Sequence, residues 1–140
     1  MSRIFWDTNI YIYLFEDYGA PSKLAAGLRT SMLQRGDQLL TSTMTLGEVL
    51  VKPVAADDRE LGVRYERALV ETSVLVSFDV KAAKIYAQIR RDRTIRPPDA
   101  VQLSCAAAAG TDLFVTNDRR LHGKQVSGIQ FIAALEQVPL

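Results

Sequence analysis

The feature that most constrains this chain is its rhythm. Short apolar or β-branched runs at residues 3–6, 38–42, 74–78 and 113–115, with a weaker one at 129–132, alternate with longer stretches of helical periodicity. The helical stretches fall at 8–18, at 21–35 with Gly36 as the stop, and at 57–71. Another opens at Thr45 and is ended by Pro53, another is capped by Asp79 and runs through Arg91, and a last one starts at Pro97 and is closed by Gly110. Strands separated by helical crossovers pair in parallel, so the pattern predicts an α/β fold with a mostly parallel central sheet and helices on both faces. At 140 residues, with no repeats, low-complexity tracts or linkers, one domain spanning residues 1–140 is expected.

Sheets of this kind gather their sites beyond the carboxyl ends of the strands. Of sixteen acidic residues, five fall just after a strand or at the opening turn of a helix: Asp7, Glu48, Asp79, Asp99 and Asp118. Each has a structural explanation. Asp79 and Asp7 can cap the helices that follow them, and Asp99 sits in a first turn, where the helix dipole favours negative charge. Thr45 and Glu48 fit a capping box. Taken together, however, carboxylates collected at one sheet edge repel each other unless a cation sits among them. Carboxylate oxygens are hard ligands that suit Mg²⁺ or Mn²⁺, and such an ion can orient a water and stabilise the charge that develops on a phosphate. Thr8, Asn9, Thr116 and Asn117 flank Asp7 and Asp118 and could orient ligands or waters, or do only turn chemistry.

Composition removes other chemistries. The single histidine, His122, excludes a two-histidine acid/base mechanism and argues against structural zinc; the single cysteine, Cys105, excludes an internal disulfide and reads as helix packing. No run approaches the roughly 18 apolar residues of a membrane span, and Asp7 interrupts the place where a signal peptide needs an apolar core. A cytoplasmic protein without a membrane partner is expected. The net charge of +1 is uninformative, but Lys81, Lys84, Arg90, Arg91, Arg93 and Arg96 stand against Asp92 alone. That excess is either a surface for phosphates or a solvated helix end. Finally, the six consecutive apolar residues Ile10, Tyr11, Ile12, Tyr13, Leu14 and Phe15 would spread around a whole helix, so either the neighbouring helix or another chain must cover part of them.

The stretches FWDTNIYI around Asp7, TMTLGEVL around Glu48, RPPDAVQLSCAAAAG around Asp99 and VTNDRRL around Asp118 resemble, in order and spacing, the PIN-domain ribonucleases, specifically the VapC-type toxins of bacterial toxin–antitoxin pairs. The early D-T-N is weak alone; P-D-A-x-x-L followed by G-x-D-x-x-x-T-x-D is more specific. The resemblance implies a Mg²⁺- or Mn²⁺-dependent endoribonuclease in which Asp7, Glu48, Asp99 and Asp118 hold the metal, directly or through water. Water would then attack the RNA phosphodiester to leave 5′-phosphate and 3′-hydroxyl ends. It also implies a homodimer and a small cognate antitoxin as partners. Thr116 matches the hydroxyl residue usual near the last acid, and Asp79 matches no catalytic position. The chain departs at Arg119-Arg120-Leu121, where an acid and a phenylalanine often occur. Arg93, Arg96 and Arg119 are the expected RNA contacts. Two alternatives remain open: a haloacid-dehalogenase-like phosphatase with Asp7 as nucleophile, although its second aspartate is here Asn9, and a non-catalytic PIN-like module that binds RNA or protein.

Overall fold

A computed structural model describes residues 1–139. The chain runs β1 (Arg3–Trp6), α1 (Thr8–Phe15), α2 (Ala20–Arg35), β2 (Gln38–Ser42), α3 (Thr43–Ala55), α4 (Arg59–Thr72), β3 (Val74–Val76), α5 (Val80–Ile89), α6 (Pro97–Ala109), β4 (Thr111–Val115) and β5 (Ile129–Ala133), with short 3₁₀ turns at Arg119–Leu121 and Leu135–Gln137. The strands form one sheet in the order β3-β2-β1-β4-β5, and every neighbouring pair is parallel. The expected α/β architecture is therefore present, with the weak fifth strand at its edge.

Alternation along the strands divides the core between the two faces of the sheet. Ile4, Trp6, Leu39 and Val115 point to the side covered by α1 to α4, where Tyr11, Leu28, Met32 and Leu69 pack against them. Phe5, Leu40 and Phe114 point the other way, against Ile89 of α5 and Ala100, Leu103 and Ala106 of α6. Phe5 and Phe114 are partners in register and their rings stack at 5.2 Å, an aromatic pair worth roughly 0.5–1.5 kcal/mol beyond its area.

Several boundaries differ from the sequence expectation, each for a local reason. The helix expected over 8–18 stops at Phe15, because Ser22 brackets the next segment: its hydroxyl donates to the Glu16 carbonyl at 2.7 Å and accepts from the Tyr18 N–H at 2.8 Å. α3 opens at Thr43 with Ser42 as its N-cap, so Thr45 lies inside the helix, buried, and the capping box of Thr45 with Glu48 does not form. Pro53 does not end α3 but sits buried in its last turn, where the helix continues to Ala55. α4 starts at Arg59, two residues later than expected, behind an Asp58 cap. α5 ends at Ile89, short of Arg91, whereas its Asp79 cap is as expected, with the carboxylate accepting from the Ala82 N–H at 2.9 Å. β3 ends at Val76 rather than residue 78, and β4 begins at Thr111. Asp112 is therefore inside a strand, its carboxylate accepting the Arg3 N–H at 2.8 Å across to β1. Gly128 is required where it stands: its φ is 98°, and a Cβ there would lie 2.7 Å from the Ala107 carbonyl oxygen.

The apolar run on α1 packs largely within its own chain: Ile10 and Tyr11 are buried and Ile12 to Phe15 partly buried. Tyr11 packs edge-on to Trp6 at 5.2 Å, Phe15 stacks on Tyr65 of α4 at 4.6 Å, and Tyr13 meets Tyr18 at 5.7 Å. Among the described residues, no helix is long and apolar enough to cross a membrane.

Candidate active site

The chain leaves β1 toward β2 on one side, while β4 lies on β1's other side, so the β1–β4 pair is the point where the strand order reverses. Asp7 follows β1 and Asp118 follows β4, both at the carboxyl end of the sheet. α3 leaves β2 at that end and carries Glu48 in its second turn; α6 runs back toward β4 and begins there, with Asp99 in its first turn. The fold thus directs the four predicted acids to one crevice.

Asp7 is the buried member, 7% exposed. One of its carboxylate oxygens accepts the Thr8 N–H at 2.8 Å and the Gln102 side-chain amide at 3.3 Å; the other accepts the Thr116 hydroxyl at 2.7 Å. Asp7 is therefore the cap of α1 as well as a site acid. Burial pushes its carboxyl up to about 6, the Thr116 and Thr8 hydrogen bonds oppose this, and the charges of Asp99 and Glu48 add to the rise. Asp99 is half-buried and also raised, first by burial and then by the Asp118 charge, with Arg120 and Arg96 acting in the opposite sense. The exposed Glu48 accepts the Thr8 hydroxyl at 2.7 Å.

Asp118 is engaged elsewhere. It caps its own 3₁₀ turn and takes two side-chain hydrogen bonds from Arg120, at 2.9 and 2.7 Å, which hold its carboxyl below the ordinary range. The acids sense one another's charge, yet among the described residues no three Asp, Glu, His or Cys side chains close into a ready metal cage. The donor set itself, carboxylates flanked by hydroxyls, suits a hard divalent cation and little else. An ion held by Asp118 would share its carboxylate with Arg120.

The supporting residues divide into two kinds. Thr8 and Thr116 touch the acids, and Thr116 also accepts the Asp118 N–H at 3.1 Å. Asn9 and Asn117 brace the two loops instead: the Asn117 N–H donates to Asn9 at 3.3 Å and its side-chain amide to the Tyr13 hydroxyl at 2.6 Å. Of the arginines, Arg93, Arg96 and Arg119 are all exposed, and Arg96 lies close enough to act on Asp99 and Asp118. No acid of the site contacts Arg93 or Arg119 among the described residues. Arg90 is committed to structure, donating to the Ile95 carbonyl at 2.6 Å, and Asp92 pairs with Lys124 at 2.8 Å. Cys105 is buried, as expected of a packing residue. Sequence reasoning missed Gln102, Ser42 and Thr45, and the commitment of Arg120 to Asp118. The signal for Gln102 was available: it is the large polar residue in an apolar helix, three positions after Asp99 and hence on the same face.

No curated protein matches the sequence. Solved structures similar in fold include VapBC2 from Rickettsia felis bound to a DNA fragment from their promoter, with a TM-score of 0.75 and 15% identity over 94% of this chain and 98% of that one. DNA-bound VapBC from Salmonella typhimurium gives 0.71 and 21% over 96% and 99%, and a toxin–antitoxin complex from Klebsiella pneumoniae 0.65 and 22% over 90% and 94%. A family model described as PIN domain matches residues 4–125, which contain all four predicted acids, and the chain belongs to the PIN-domain family.

Proposed function

We propose that the chain, as one domain over residues 1–140, is a Mg²⁺- or Mn²⁺-dependent endoribonuclease that serves as the toxin of a toxin–antitoxin pair. The observation that carries the reading is the gathering of the buried Asp7 beside Asp99 and Glu48 at the carboxyl end of the sheet, like charges that a divalent cation would neutralise. Asp7, Glu48, Asp99 and Asp118 would hold the ion. Bound there, it would lower the pKa of a water and stabilise charge on the phosphate. The protein's own part is to orient: Thr116 and the Thr8 N–H fix the Asp7 carboxylate, and the Thr8 hydroxyl holds Glu48 toward it. Arg96 and the other exposed arginines, Arg93 and Arg119, would hold RNA phosphates beside the acids. PIN membership sets aside the phosphatase reading of Asp7; Asn9, in the position of that family's second acid, serves as a brace.

A cognate antitoxin belongs to the same proposal, supported by the toxin–antitoxin complexes among the similar folds, and a second copy of the chain and a cytoplasmic setting are proposed with it. The test is cleavage of single-stranded RNA with added Mn²⁺, with identification of the product ends. Asp99→Asn should abolish 5′-phosphate-generating cleavage while circular dichroism stays native. Undiminished cleavage by that variant, or no cleavage by the wild type in Mn²⁺, would refute the assignment and favour a binding module.

A further inference from the structure

Gln102 is 2% exposed on a helix that is otherwise apolar around it, and a buried primary amide is costly unless its hydrogen-bonding groups are satisfied. Its nitrogen, with two hydrogens to give, faces three oxygens: Thr45 Oγ1 at 2.8 Å, Thr8 Oγ1 at 3.0 Å and Asp7 Oδ1 at 3.3 Å. Its own carbonyl oxygen accepts the Ser42 hydroxyl.

The Thr41 hydroxyl is directed at both the Trp6 carbonyl and Thr45 Oγ1, each at 2.8 Å, and donates to them. Thr8 gives its hydrogen to the Glu48 carboxylate at 2.7 Å. The Thr8 and Thr45 oxygens both accept from the Gln102 amide. Turning the amide round would set its oxygen against the Asp7 carboxylate, so Asp7 keeps the nitrogen toward the acids while the oxygen accepts from Ser42.

We infer that Gln102 is a positioning residue of the acid site: held by Ser42, its amide donates to Asp7 directly and to Glu48 through Thr8, fixing the two carboxylates a divalent ion would use. The inference rests on the metal-nuclease reading above. It assigns Gln102 a role beyond stitching α6 to α1 and α3, and the two roles predict different measurements. A stitch matters to stability alone; a positioning residue matters to the ion's affinity in protein that remains folded.

Mn²⁺ affinity is measured by titration calorimetry well below the melting temperature, alongside kcat and KM for single-stranded RNA. Gln102→Met should weaken Mn²⁺ binding about tenfold or more and lower kcat, with KM within about twofold of wild type. Thr8→Val, which removes the hydroxyl between Gln102 and Glu48 but keeps the Thr8 N–H on Asp7, should weaken Mn²⁺ binding by part of that factor. The double variant should lose less than the product of the two, because both act on one path. If Gln102→Met does not fold, Thr8→Val decides the matter, together with the Gln102 side-chain amide resonances of the wild type, which should shift on Mg²⁺ binding. A destabilised Gln102→Met that binds Mn²⁺ as tightly as wild type, or a Thr8→Val with unchanged affinity, overturns the positioning role while leaving the nuclease reading intact. Failure of the wild type to bind Mn²⁺ overturns both.

Discussion

Replacing Asp7 by Asn should make the metal-free protein more stable while removing its function. The Asp7 carboxyl stands at about 6 against an ordinary value of 3.8. At neutral pH, ionised Asp7 therefore costs the folded state up to roughly 3 kcal/mol. The penalty is absent below pH 3.8, where the group is protonated in folded and unfolded chains alike; it grows as the pH rises and is complete above about 6. Asparagine remains a good helix cap and can keep its oxygen toward the Thr8 N–H and Gln102. Its nitrogen then faces Thr116, whose oxygen must accept from it as well as from the Asp118 N–H and turn its own hydrogen away, a loss of about 1 kcal/mol. The net gain is roughly 1–2 kcal/mol, or about 3–6 °C in melting temperature for a chain of this size. Melting in EDTA at about pH 7.5 and 4.5 checks the sign, since at the lower pH roughly a third of the penalty remains and the gain should nearly vanish. Added Mn²⁺ should stabilise the wild type and not the variant. A lower melting temperature for Asp7→Asn at neutral pH, or a gain independent of pH, would refute the reasoning.

The committed arginine and the exposed ones separate in further measurements. Arg120→Met frees Asp118 from its two hydrogen bonds, and Mn²⁺ affinity should rise, by up to about fivefold since the pair is at the surface; weaker binding would mean that Arg120 supports the site instead of competing for it. Replacing Arg93 and Arg96 together by Ala should weaken RNA binding and flatten the slope of log affinity against log salt by about 0.7 per lost contact on single strands. An unaltered slope would return both to a solvated surface.

The placement of the acids was legible in the sequence because it depends on local features. A parallel sheet puts every strand's exit at one end, so knowing that Asp7 and Asp118 follow strands, and that Glu48 and Asp99 lie near the starts of helices, was enough to bring them together. What each side chain does there depends on groups far along the chain. Thr45 and Glu48 satisfy the capping-box spacing, yet Ser42 caps α3 and Glu48 answers to Thr8, forty residues away, because Thr45 is drawn into the buried contacts with Thr41 and Gln102. The departure at Arg119-Arg120-Leu121 was visible as a change of residue type, but only the 3₁₀ turn brings Arg120 back onto Asp118. The apolar run on α1 shows the same limit from the other direction. Periodicity states correctly that one sheet face cannot bury six consecutive apolar residues. The cover comes from Trp6 of β1 against Tyr11, Tyr65 of α4 against Phe15, and Tyr18 of the following loop against Tyr13. Because three separate segments share the task, the run does not by itself call for a second chain, and a partner surface on this protein must be argued from residues that remain exposed.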